Sequence, residues 1–131
     1  MQEAERRTPY RIPLPADPEA SRNNLDQVFA SAQQDVALRF SSKVLVILEK
    51  AQFTDAQTEF QDEVSSGAVS NGRVEDVRGH PALVIDPDTD KLGTNPGSVQ
   101  FLMDGISITV YSPELSGERL RELAASVDYD N

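Results

Sequence analysis

The densest group of side chains capable of chemistry is Asp86-Pro87-Asp88-Thr89-Asp90, three carboxylates at alternate positions. Oxygens so spaced suit a hard cation such as Ca²⁺, but a calcium loop also needs glycine at its sixth position and glutamate at its twelfth. Lys91 and Gly97 stand there instead, so the segment reads as a solvated loop and no metal site is expected. His80, the one histidine, lies between Gly79 and Pro81. A lone histidine can serve as general base, yet no Ser, Asp or Glu partner stands at a recognisable spacing. A turn or strand-edge role is therefore expected. Gly93-Thr94-Asn95-Pro96-Gly97 lacks the Gly-Lys-Ser/Thr that opens a helix after a phosphate loop. Gly67, Gly72 and Gly79 make no dinucleotide fingerprint. The sequence thus assigns no catalytic residue, no cofactor and no metal ligand, and the protein is expected not to be an enzyme.

Two surfaces remain as candidates for recognition. Asp55, Glu59, Asp62 and Glu63 lie on the wet side of an amphipathic helical stretch and would suit a basic partner. The same residues are also what any solvated helix face carries. Leu102 and Tyr111 are apolar intrusions on an otherwise polar hairpin face, which marks either a groove or partner surface or a place covered by the N-terminal arm or the first helix.

Composition narrows the field further. The chain of 131 residues carries 12 Lys+Arg against 22 Asp+Glu, a net charge of −10, with no Cys. One domain is the natural size. Without cysteine there is no disulfide, no thiolate nucleophile and no zinc–thiolate site. The acidic balance argues against nucleic acid and against an anionic membrane surface as partners. The charge is uneven: residues 1–50 are neutral, and the whole −10 belongs to residues 51–131. No apolar run approaches the ~18 residues of a membrane span, and no basic segment followed by an apolar one opens the chain, so neither a span nor a signal peptide is expected. The opening stretch fits a natural start and equally a chain that follows a removed anchor.

The elements that must position these groups follow from periodicity. Pro9, Pro13, Pro15 and Pro18 forbid a helix over residues 1–19, while Tyr10, Ile12 and Leu14 alternate as in an edge strand. Leu25, Val28 and Phe29 have helical spacing, which points to a short helix or an irregular turn over 20–33. Val36, Leu38 and Phe40 alternate, and after Ser41-Ser42-Lys43 the run Val44 to Leu48 is apolar on both faces, a hairpin whose second strand should be covered on both sides. Thr54 to Gln57 fits a capping box before a helix with Ala56, Phe60 and Val64 on one stripe, ended by Gly67. Residues 73–77 and 82–85 read as strands joined through Gly79-His80-Pro81. Asp104-Gly105 between two alternating runs calls for a type I′ hairpin that pairs Met103 with Ile106, Phe101 with Ile108 and Val99 with Val110. Ser98, Gln100, Ser107 and Thr109 then share the opposite face. Ser116 caps a last helix whose Leu120, Leu123, Ala124 and Val127 form its apolar stripe.

From about Leu25 onward this order, with 36–48, Gly79-His80-Pro81-Ala82, 99–110 and the closing Leu115-Ser116…Leu120 to Ser126, resembles a family of extracytoplasmic domains of unknown function. They follow a membrane anchor in bacterial membrane proteins and anti-sigma-factor-like regulators, and are similar to half of an outer-membrane-lipoprotein-sorting fold. This chain departs from them at Phe101-Leu-Met-Asp-Gly, where the family often has tryptophan, and shows no anchor. The family has no assigned catalytic residues, so none is carried over. The resemblance implies a non-catalytic sensing or binding domain on the outer side of a bacterial membrane.

The expectation is therefore an α+β fold: a curved antiparallel sheet of five to six strands with two helices packed on it. A proline-rich arm at 1–19, a single domain at 20–127 and a polar tail at 128–131 make up the chain. Its expected core is Val36, Leu38, Phe40, Val46, Leu48, Phe60, Val99, Phe101, Ile108, Val110, Leu120 and Leu123. The expected function is binding or sensing, with an unknown protein or a small apolar ligand as partner. The alternatives are a soluble acidic protein-interaction or adaptor domain and a small apolar-ligand carrier, and the expected place is the extracytoplasmic side of a bacterial membrane, with the cytoplasm as the other option.

Overall fold

The computed structural model describes residues 11–32, 35–69, 71–87 and 96–131. The elements run β1 (Leu25–Ala30), β2 (Val36–Phe40), β3 (Leu45–Lys50), α1 (Ala56–Ser66), β4 (Gly72–Val77), β5 (His80–Ile85), β6 (Gly97–Met103), β7 (Ile106–Ser112) and α2 (Gly117–Ala125). The strands form one antiparallel sheet of seven, in the order β1-β2-β3-β7-β6-β5-β4. The fold is α+β as expected, with more strands than the five to six read from the sequence.

The additional strand is β1, where a short helix or irregular turn was expected. A register shift between Leu25 and Gln27 places a bulge in its pairing with β2. The bulge lets Leu25 and Val28 both pack on the same core. Two residues three apart on one side imitate helical spacing, so the bulge rather than a helix explains the pattern. Among the described residues a single 3₁₀ turn at Arg22–Asn24 precedes it, capped by Ser21.

The β6–β7 hairpin has the expected register, with Asp104 at φ 54° and Gly105 at φ 78° as a type I′ turn requires. The β4–β5 turn is Arg78-Gly79, both at positive φ, not Gly79-His80-Pro81. His80 and Pro81 are strand residues, and Pro81 precedes the first β5–β6 pair, Ala82 with Phe101, where a missing N–H costs least. The cap of α1 is Asp55, one residue after the expected Thr54; its carboxylate accepts from the Thr58 amide at 3.1 Å. Gly67 closes α1 in the left-handed region, at φ 77°. Ser116 caps α2, as its position before the apolar stripe implied.

The two helices lie on opposite faces of the sheet. Along β5, Ala82 and Val84 join the main core with Leu120, Leu123 and Ala124 of α2, whereas Leu83 and Ile85 join a second cluster with Ala56 and Phe60 of α1. All twelve residues expected in the core are buried. The arm completes the main core through Ile12 and Leu14, with Ala20 just after it. It is not an edge strand of the sheet: Leu14 pairs with Asp128 in the C-terminal segment, and Tyr10 lies outside the described residues. Arg119 of α2 grips Asp17 through two hydrogen bonds of 2.8 and 2.5 Å.

On the other face α1 packs chiefly on β4 and β5, with Leu102 of β6 at its margin. Val46 and Leu48 of β3 are buried, but Leu45 and Ile47 are half-buried, so β3 is covered on one side, not on two. Phe29 on β1, 53% exposed, is the one exposed large hydrophobic among the described residues.

Candidate functional site

Where α1 stops short, the sheet face drops into a cleft of about 430 Å³. The floor follows from the register of the central hairpin. Val99, Phe101, Ile108 and Val110 point into the core, so Ser98, Gln100, Thr109 and Tyr111 must point the other way. Val69 after α1 and Leu83 and Ile85 of β5 form an apolar wall, and Glu63 of α1 stands at the rim. The volume falls within the range of small-molecule sites, and the mixture of apolar wall and few polar groups is of the usual kind.

Four hydroxyl residues are buried among the described residues: Ser98, Ser107, Thr109 and Ser112. Two are committed. Ser107 accepts from Gln100 Nε2 at 2.9 Å, and Ser112 accepts from the Glu114 and Leu115 amides at 3.1 Å each. The other two, Ser98 and Thr109, have side chains with no hydrogen-bond partner among the described residues, and both line the cleft. Burial pushes the Tyr111 phenol up from its ordinary pKa, with the Glu49 charge adding to it. Burial likewise raises the Glu63 carboxyl, and the charge of Glu59 one turn earlier adds to the shift.

The residues singled out from the sequence are dispersed. Glu63 and Tyr111 meet at the cleft. Asp55 is committed as the α1 cap and also accepts from the Thr58 hydroxyl at 2.8 Å, which lowers its pKa. Asp62 is exposed and Glu59 half-buried, so the four carboxylates do not form one evenly wet surface. Leu102 packs under α1 against the second cluster; a helix covers it, and it is not the arm. Sequence reasoning named the polar row Ser98, Gln100 and Thr109 without marking it as a site. The signal was present: polar residues on the outward face of a hairpin whose other face is core.

Of the Asp86 cluster, Asp88 and Asp90 lie outside the described residues. Asp86 accepts from Arg73 Nη1 at 2.5 Å and from the Gly117 amide at 3.0 Å, so it serves the start of α2. Arg73 also holds Glu75, and Arg121 Nε lies 3.1 Å from Glu75 Oε2 as an ion pair without hydrogen-bond alignment. His80 rests near Phe101, ring centroids 6.2 Å apart and tilted by 39°. Among the described residues no three His, Cys, Asp or Glu side chains gather as metal ligands would. Pro96 and Gly97 are the described part of the glycine-containing loop. No helix among the described residues is long and apolar enough to cross a membrane.

Comparison of the chain with family models, with curated proteins and with solved structures finds no match.

Proposed function

We propose that this protein is a non-enzymatic binding or sensing domain whose working surface is the cleft beside α1. The observation that carries the reading is that Ser98 and Thr109, whose residues are otherwise buried, open their hydroxyls onto the cleft floor with no side-chain partner among the described residues. Polar groups free of protein partners at the base of a concave, partly apolar surface are what a binding site presents to a ligand. The apolar wall of Val69, Leu83 and Ile85 supports a ligand with an uncharged, partly apolar body.

The resemblance to extracytoplasmic domains of anchored bacterial regulators supports placing the domain outside the cytoplasm, as the sensing part of such a regulator. A membrane span or lipidation signal encoded upstream of Met1 would support that placement, and a gene without either removes the anchored version. The binding reading itself is tested by amide NMR with a panel of small cationic, neutral and anionic fragments. Shifts concentrated at Ser98, Gln100, Thr109 and Tyr111 are expected. A panel that perturbs other surfaces and leaves these four residues unmoved refutes the assignment.

A further inference from the structure

Resting on the cleft as the binding site, we propose that it is selective for an organic cation: an ammonium or guanidinium group on an otherwise uncharged body, with Glu63 as its counter-charge. Ser98 and Thr109 are the hydrogen-bond partners of the same ligand.

The charge of the lining decides the class. Among the described residues the cleft is lined by two acidic side chains, Glu63 and Asp86, and by no Lys, Arg or His. Asp86 is already neutralised by Arg73 and the Gly117 amide. Glu63 has no ion pair and no side-chain hydrogen bond among the described residues, so it is the uncompensated charge of the site. A phosphate or carboxylate entering here meets repulsion at Glu63 and, among the described lining residues, no cation to offset it. A cation meets the opposite. Partial burial and the Glu59 charge nearby both disfavour the charged form of Glu63, and a bound cation offsets both.

The floor supplies the second, independent observation. Ser98 is 7% exposed and Thr109 6% exposed, and both hydroxyls open onto the cleft unpartnered. Hydroxyls accept as well as donate. They can therefore take the N–H groups of an ammonium or guanidinium, while Leu83 and Ile85 receive the apolar remainder. The cation has two sources, a free small molecule or a Lys or Arg side chain of a partner, and the chemistry is the same for both.

An isosteric series tests this in the full chain by amide NMR: n-pentylammonium, n-pentanol and n-pentanoate, with acetyl-Gly-Arg-Gly-amide beside them. Pentylammonium is expected to move Ser98, Thr109 and Tyr111 with an affinity about tenfold above pentanol, and pentanoate to bind more weakly still. Glu63→Gln should abolish the tenfold preference and leave pentanol binding in place. The unchanged amide pattern of that variant shows that it folds. Stronger binding of the arginine peptide than of pentylammonium assigns the cation to a partner's side chain, and weaker binding assigns it to a free molecule. Equal binding of the three pentyl probes, or a preference for pentanoate, overturns the cation assignment while the cleft stands as a site. No shift at the floor with any probe overturns both.

Discussion

Asp17→Asn probes the grip between the arm and α2. In the native protein Arg119 donates to both oxygens of Asp17, and the Glu19 amide donates to Oδ1 at 2.9 Å. The Asp17 side chain is 10% exposed and that of Arg119 30%. An exposed ion pair contributes about 0–1 kcal/mol, and removal of one partner from a fully buried pair costs about 3–5 kcal/mol. This pair lies between those limits, so the variant should lose about 2 kcal/mol at neutral pH. For a domain of this size that lowers Tm by about 6 °C. The pH dependence carries the diagnosis. The Arg119 hydrogen bonds, against the opposing effect of burial and with help from the Glu19 amide, hold Asp17 below the ordinary carboxylate pKa. A depressed pKa gives stability that is fully present above the unfolded value of about 3.9 and lost as pH falls through the native value. Urea denaturation of both proteins from pH 7 to pH 3 should show the gap narrowing as pH falls below about 4. A gap that stays constant across the series would show that the asparagine acts by packing, and no gap at pH 7 would show that the arm is held by Ile12 and Leu14 alone.

Three further outcomes are expected. Phe60, fully buried and packed edge-on against Phe53 with ring centroids 5.5 Å apart, should cost about 3–4 kcal/mol when cut to alanine, measured by urea midpoint; a loss under 1 kcal/mol would mean that α1 is not docked on β4 and β5. Gly105→Ala forces a side chain into φ 78° and should cost about 1 kcal/mol or more, while Gly105→Asn should cost less; equal losses would contradict the type I′ turn. Tyr129, desolvated and beside the Asp104 carboxylate, has its phenol pushed up to about 12. A raised phenol pKa gives stability that is present below the unfolded value of about 10 and lost as pH rises through the native value. Ultraviolet titration should therefore show a late tyrosine transition that Tyr129→Phe removes.

The parts of the fold that were legible in the sequence were those whose signals are local. At 98–110 the turn residues and the alternation specify one register, and the pairs formed are those expected. At β1 the same logic failed because a bulge puts Leu25 and Val28 on one side, a spacing that period counting takes for a helix. The alternation along 82–85 separates two faces but cannot say which helix covers which, and the placement of α1 and α2 on opposite sides is a matter of packing. The cleft was least legible of all. Glu63, Ile85, Ser98 and Thr109 come from four separate elements, and only the sheet order brings them together. Tyr111 and Glu63 were picked out on other grounds, as an apolar intrusion and as part of an acidic face.

The cleft floor and the main core share the backbone of β6 and β7. Each strand has a sheet neighbour on both sides, and its inward residues are locked against α2. Ser98, Gln100 and Thr109 therefore have almost no conformational freedom left to lose, unlike groups presented on a loop. A ligand settling there bears the cost of its own ordering and of water displaced from two hydroxyls, with little owed by the protein. Affinity at such a surface should respond sharply to where a ligand carries its polar atoms and only weakly to temperature-dependent loosening of the protein. The site is a rigid template, and selectivity by atomic position is what a rigid template can deliver.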